Sequence, residues 1–374
     1  MRKFLPVFFL LFSACSEIPS KKIEAQRPAD NSAPAKISQT LSIVAVGDMM
    51  LGTNYPLNHL ADDDAVSLLA PVHGVLRNAD ITFGNLEGTL SDTAKPEKKC
   101  KVKDRCYLFR SPVRYVSLFK EAGFDVISLA NNHARDFGES GRTDSMTALD
   151  TAGIYHSGRQ GDIASWEVKG LSIAMIAFAP FKDSHDMLDL TYAQRLVAEV
   201  SEEHDIVIVS IHAGAEGLDV LHLPFEEEFY YGENRGDAVA FAHAVIDSGA
   251  DMVIGHGPHV PRALELYQGR LISYSLGNFC TYYGISVAET KGLAPILKAE
   301  LDENGQFVSG RIISARQIRP GGPVLDKSHQ AARLIKSLTE EDFPHGQLSL
   351  DDTGRVNIIK PDVQTVSKAK SSAQ

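Results

Sequence analysis

Five apolar runs in this sequence each break off into side chains that bind metals or move protons, and this restricts the fold more than any other feature. Residues 43–46 lead into Gly47 and Asp48, and residues 81–83 lead into Gly84, Asn85, Leu86 and Glu87. Residues 126–130 lead into Asn131, Asn132 and His133, and residues 207–211 into His212, Ala213, Gly214, Ala215 and Glu216. The fifth run, 252–254, ends in Gly255, His256, Gly257, Pro258 and His259. Uninterrupted apolar strands suit a sheet covered on both faces. In open α/β sheets ligands bind beyond the carboxyl ends of the strands, so five such tips can converge on one place.

The rest of the chain supports α/β layering. Apolar, β-branched strand signals at 42–46, 81–83, 126–129, 171–178, 206–211, 252–254 and 271–274 are interleaved with helical patterns at 65–77, 112–122, 142–151, 192–203 and 237–247. Gly123, Gly153 and Gly249 close three of those helices. After Gln306 the pattern weakens to strands at 308–317 and 348–359 around a helix at 328–338.

Carboxylate, carboxamide and imidazole donors together form a hard-to-intermediate ligand set, suited to Mn, Fe, Zn or Mg rather than to a thiolate-loving metal. Taken singly, each tip also has a plainer role. Gly-Asp after a strand is a common turn, Asn132 can cap the helix that follows, and His133 can be a satisfied loop histidine. His212 differs, because an imidazole leaving a strongly apolar strand would be costly to bury without a polar task. Glu216 can orient His212 or simply close a loop. His59, His73, His156, His185, His222 and His243 follow no strand tip and read as surface or packing residues.

The chain ends carry other signals. Arg2 and Lys3, an apolar run at 4–12, and then Ser13 and Ala14 before Cys15 make an export segment too short to span a bilayer, which needs ~20 apolar residues. The Leu-Phe-Ser-Ala-Cys stretch resembles a lipoprotein lipobox, with Phe12 where leucine is usual, and implies acylation of Cys15. Residues 16–40, with Pro19, Pro28 and Pro34 and no periodicity, read as a linker able to reach roughly 80 Å when extended. The domain proper is expected at 41–320, its extension at 321–361 and a fraying tail at 362–374. With 48 acidic against 37 basic residues, the formal charge of −11 argues against nucleic acid as a partner. Cys100 and Cys106, separated by five residues in a Lys-rich loop of an exported chain, are expected to form a local disulfide; Cys280 is expected to stay free and partly buried.

The segments GDMMLG (47–52), NLEGTLSD (85–92), SLANNHARDFGESG (128–141), IHAGAEG (211–217), GADMVIGHGPHV (249–260) and ISYSLGNF (272–279) resemble, in order, the motifs of the bacterial capsule-synthesis protein CapA family. That resemblance implies poly-γ-glutamate capsule production and a calcineurin-like metallophosphatase fold, with two facing β-sheets flanked by helices and metal at the strand tips. It assigns Asp48 to one metal, Glu87 to a bridging position and Asn132 to a second metal, with His212, His256 and His259 completing the set. His133 would handle substrate or leaving-group charge. Two departures stand out. Met49 and Met50 follow Asp48, so the Asp-x-His pair of ordinary metallophosphatases is absent, and Gly257 stands where many relatives have histidine. Either one site is weakened or His256 compensates. Ala213 stands where tryptophan is common in the family.

The chemistry expected of such a centre, with one or two divalent ions, is hydrolysis or transfer at an anionic phosphoester or amide. Two other readings remain open from sequence. One is a non-catalytic envelope protein that holds or guides an anionic polymer, beside other capsule-synthesis proteins; the other is an amidase acting on γ-glutamyl links.

Overall fold

The computed structural model describes residues 40–99 and 106–359. The export segment with Cys15, the linker up to residue 39, Cys100 and the tail from residue 360 lie outside the described residues. Cys106 is disulfide-bonded. Cys280 is free and fully buried rather than partly so. Among the described residues no helix is long and apolar enough to cross a membrane.

Two sheets carry the molecule. The first has nine strands and is built around Leu41–Met50, whose side chains are buried almost throughout. It pairs in parallel with Ile81–Leu86, which pairs in parallel with Val126–Ser128 and so on to Tyr155–Ser157. On its other side lies antiparallel Ile296–Leu301, and its last residues also pair in parallel with Asn278–Thr281. The second sheet has seven strands, with Leu171–Ala179, Ile206–His212, Met252–His256 and Arg270–Ser273 running parallel in that order.

Alternation along these strands sets the layers. Ile43, Ala45, Phe83 and Val126 of the first sheet pack against Ile173, Met175, Ile208 and Ile254 of the second, forming the central core. The intervening residues point outward. Val44, Val46 and Ile127 meet Leu118 and Phe119 of the Val116–Ala122 helix and Leu149 of the Gly138–Ala152 helix. Ala174, Ile176, Val207 and Val209 meet Val197 of Leu190–Ser201 and Phe241 and Val245 of Ala238–Asp247. The result is two facing β-sheets flanked by helices, the architecture implied by the resemblance. Each fully buried aliphatic side chain contributes about 1.5–3 kcal/mol, so the strands are held chiefly by this two-sided burial.

Several helix boundaries move. Residues 65–77 form no continuous helix but only the 3-10 turn Ala70–Val72 followed by one α-turn, His73–Leu76. Pro71 lacks a backbone N–H, and Asp64 and Ala65 take positive φ, so the segment starts as a turn capped by Asp63. Gly123 and Gly153 do end their helices, both in the left-handed region. After residue 306 the expected second strand is a hairpin, Leu348–Leu350 with Arg355–Ile358, turned at Gly354 with φ +88. It extends the edge of the first sheet, while the Gln330–Asp342 helix sets Ala332 and Ile335 into the central core.

His156 lies outside the strand tips and ties three segments together. Its Nδ1 is 2.9 Å from Asp162 Oδ2 and its Nε2 is 3.2 Å from Asp150 Oδ1. Burial alone would lower this imidazole, but the hydrogen bond to Asp162 and the charges of both carboxylates outweigh it and raise the pKa above the ordinary 6.5. A group raised on folding stabilises fully below its unfolded pKa and loses that contribution as pH rises through its folded pKa. His156→Gln is therefore expected to lower the urea midpoint more at pH 6 than at pH 9; an equal loss at both would show that the imidazole acts by packing alone.

Candidate metal centre

The carboxyl edges of the two sheets meet, and the predicted residues meet there. Asp48 Oδ1 is 3.4 Å from His256 Nδ1, and Asp48 Oδ2 is 3.3 Å from His259 Nδ1. Glu87 Oε1 is 3.7 Å from His259 Nε2 and 3.9 Å from His133 Nε2. Asp48, Glu87 and His259 can offer ligand atoms all within 4.8 Å of one another. His212 and His256 lie side by side on paired strands.

Whether a cation suits this place can be judged from what its polar atoms lack. Asp48 Oδ2, both Glu87 oxygens, Asn132 Oδ1, His212 Nε2 and both ring nitrogens of His256 are buried and find no hydrogen-bond partner among the described residues. Leaving one such group unsatisfied costs about 1–3 kcal/mol. So many orphaned acceptors and imidazole nitrogens in one spot fit a divalent ion held by oxygen and nitrogen ligands.

Electrostatics agree. Burial alone would raise Asp48, but the imidazoles of His256 and His259 hold its carboxyl well below the usual range. Glu87 goes the other way: burial, aided by the charges of Asp48 and Glu216 and opposed by His259 and Lys98, pushes it up to about 8. His259 would be lowered by burial, yet Glu87, Asp48 and Glu216 raise it to about 10. Burial drives His212 well below the ordinary imidazole value; the charge of Asp48 opposes this, while Arg235, His259 and His256 add to it. Negative charge is concentrated here beyond what the local imidazoles neutralise comfortably.

Around these groups stands a shell that sequence reading left without roles. Asn85 Nδ2 donates to Asp48 Oδ1 at 2.8 Å, and Asn131 Nδ2 donates to Asn85 Oδ1 at 3.1 Å. Asn131 Oδ1 also caps the His133 N–H, so the capping task weighed for Asn132 falls to its neighbour and leaves the Asn132 side chain available. Asn278 Oδ1 accepts from His259 Nδ1 at 2.9 Å, which turns His259 Nε2 toward Glu87. Asp136 accepts from His133 Nδ1 at 2.7 Å and forms an ion pair with Lys98 Nζ at 2.9 Å. Such outer partners fix tautomer and ring orientation. Asn85, Asn131 and Asn278 sat inside the quoted motifs, and their burial next to strand ends was the available signal; Lys98 offered none in its run of lysines.

Two expectations are revised by the geometry. Glu216 does not orient His212: its Oε2 is 3.6 Å from His259 Nε2, and its Oε1 accepts from Arg235 Nη1 at 3.1 Å. Gly257 is a requirement of the backbone, for with φ +115 any Cβ there would lie 2.6 Å from Ala213 O. Above the centre opens a cleft of about 480 Å³ lined by Lys98, Asn132, His133, Glu216, Arg235 and His259 among others.

The family model for bacterial capsule synthesis protein PGA_cap matches residues 42–283, nearly the whole span of these strands and tips. The chain belongs to this family. A capsule biosynthesis protein CapA of Bacillus anthracis is 26% identical over 362 residues, covering 90% of this chain and 81% of that protein. The PGA biosynthesis protein CapA of Bacillus subtilis is 28% identical over 322 residues, covering 80% and 78%. Among solved structures, a putative 5′-nucleotidase from Staphylococcus aureus aligns with a TM-score of 0.42 at 15% identity, over 82% of this chain. This chain spans 59% of that protein. As a PGA_cap member the protein keeps every quoted motif on or directly after the strands of the two sheets.

Proposed function

We propose that this PGA_cap protein is an exported, envelope-anchored hydrolase that acts on anionic phosphoester or amide links during poly-γ-glutamate capsule synthesis. The observation that carries the reading is the set of buried, unpartnered carboxylate, carboxamide and imidazole atoms where the two sheets meet. Asp48, Glu87 and His259 would hold one divalent ion, with Asn132, His212 and His256 as further buried donors for it or for a second. A bound ion supplies Lewis acidity toward a phosphoryl or acyl oxygen and acidifies water.

The chain's own groups then do the rest. Burial keeps His133 below the ordinary imidazole pKa, with Asp136 opposing and Lys98 adding to the effect, so the ring is neutral near pH 7. With Nδ1–H given to Asp136, Nε2 faces the Glu87 side of the cleft as a proton acceptor. Lys98 and Arg235 line the same cleft and suit an anionic substrate. His133→Ala is expected to keep its metal and lose turnover by about 10²–10⁴-fold, the usual worth of a positioned acid-base group. The assay uses protein reconstituted with Mn, Fe, Zn or Mg on generic phosphodiesters and on poly-γ-glutamate, beside elemental analysis. Wild type without stoichiometric metal would end the reading. Stoichiometric metal without turnover would favour a polymer-holding role instead, and cleavage of poly-γ-glutamate alone would make it an amidase.

Anchoring is tested separately. If Cys15 is acylated, Cys15→Ser should move the protein from membrane to soluble fractions, because one residue carries the lipid. Unchanged membrane association would remove the anchor from the proposal.

A further inference from the structure

The Asp48, Glu87 and His259 cluster has a third carboxylate beside it that no role above uses. Glu216 lies on the loop after the Ile206–His212 strand with its side chain 15% exposed. His259 Nε2 sits between two carboxylates, 3.7 Å from Glu87 Oε1 and 3.6 Å from Glu216 Oε2. Ligands about 2.0–2.2 Å from a tetrahedral ion lie roughly 3.3–3.6 Å from one another, so each carboxylate stands from His259 Nε2 at about the separation of two donors on one cation, although among the described residues only Asp48, Glu87 and His259 have donors all within 4.8 Å of one another. Both Glu87 oxygens are fully buried and unpartnered, which marks the point the donors surround.

Glu216 is also held as a ligand needs to be held. Its Oε1 accepts from Arg235 Nη1 at 3.1 Å, leaving Oε2 directed at His259. Arg235 in turn is 4% exposed, with its guanidinium carbon 5.0 Å from the Phe181 ring centre and 5.3 Å from that of Tyr230. A rigid, stacked guanidinium that takes one carboxylate oxygen and leaves the other is a typical device for orienting a metal ligand.

We infer that Glu216 is a direct ligand of the ion held by Asp48, Glu87 and His259, with Arg235 as its positioning residue. This rests on the metal reading above. Three carboxylates and one imidazole make a harder site than one rich in histidine, and favour Mn²⁺ or Fe²⁺ over Cu²⁺.

The test is Mn²⁺ titration calorimetry on the metal-stripped full chain, with the thermal midpoint of the same metal-free sample as a second reading. Glu216→Gln keeps shape and removes the charge. It should weaken Mn²⁺ binding at least about tenfold, since even groups that only contact a ligand cost 10–100-fold. Arg235→Gln should weaken binding less and in the same direction. The metal-free midpoint of Glu216→Gln should fall modestly, because Arg235 and His259 lose a charge partner, so Mn²⁺ binding is compared where both proteins are folded. Wild type that binds Mn²⁺ and a Glu216→Gln variant that binds it equally well would overturn the assignment of Glu216 alone. Wild type that binds no Mn²⁺ would overturn this inference and the metal reading together. Should the variant fail to fold, anomalous diffraction from Mn²⁺-loaded wild type decides: an ion within bonding reach of Glu216 Oε2 supports the assignment, and one bound out of its reach refutes it.

Discussion

Glu87→Gln is expected to lose its metal while keeping its fold. The side chain is fully buried, both of its oxygens lack partners, and it faces His259 on one side and His133 on the other. Substitution by an isosteric amide preserves volume, so the core is not opened. What disappears is the negative charge of a proposed ligand, and metal retained after dialysis should fall to roughly a tenth of wild type or less, with turnover falling alongside. The metal-free protein should respond to pH in the opposite sense to a usual carboxylate. Folding raises the Glu87 pKa from 4.5 to about 8, so its contribution is fully present below pH 4.5 and is lost as pH rises through 8. Metal-free Glu87→Gln should therefore equal metal-free wild type in acid and exceed it in stability above pH 8. Urea melts at pH 5 and pH 9 with elemental analysis at each would check both halves; full metal retention by the variant would remove Glu87 from the centre.

Arg262→Met is expected to be the most destabilising single change outside the metal cluster, by about 3–5 kcal/mol. Arg262 is 1% exposed, and its Nη1 donates to both oxygens of Glu228 at 2.8 and 2.9 Å. Its Nε donates to Val220 O at 2.8 Å, and Glu228 Oε2 also accepts from Ala215 N at 2.9 Å. The pair thus staples the segment after the Ile206–His212 strand, which bears Glu216 and Arg235, to the strand region beyond His259. Removing the guanidinium leaves Glu228 buried with an uncompensated charge, which is the source of the penalty. Arg262→Met combined with Glu228→Gln should recover much of the stability but not the loop position, so the urea midpoint should return further than Mn²⁺ affinity. A single variant within about 1 kcal/mol of wild type would show the pair to be solvated in solution.

The strands of both sheets were legible because each is an apolar run buried on two faces, and such a run leaves little choice of partner surface. The short turn-helix at residues 70–76 was not legible as such, because its apolar spacing is helical while Pro71 and the positive φ of Asp64 and Ala65 stop the helix from starting earlier. The C-terminal hairpin has the sequence pattern of one strand for a similar reason: Gly354 marks the turn, but five polar or small residues at 351–355 carry no periodicity.

At the site, five strand tips mark where Asp48, Glu87, Asn132, His212, His256 and His259 stand, but burial alone argues a polar task only for His212, and the ligand roles of the others follow from the resemblance to the CapA family. Which donors are available, in what order, and at which ends of buried strands can be read from the residues alone. How they are shared is set by the packing of the two sheets. That packing brought Asp48 of one sheet against His256 of the other, gave Asn278 to His259 and Asp136 to His133, and took Glu216 from His212 to set it between His259 and Arg235. The physical reason is range. Burial and periodicity are properties of neighbouring residues, whereas a hydrogen bond or a ligand contact is decided within about 3 Å between atoms from distant segments, and that distance depends on how two sheets are packed face to face.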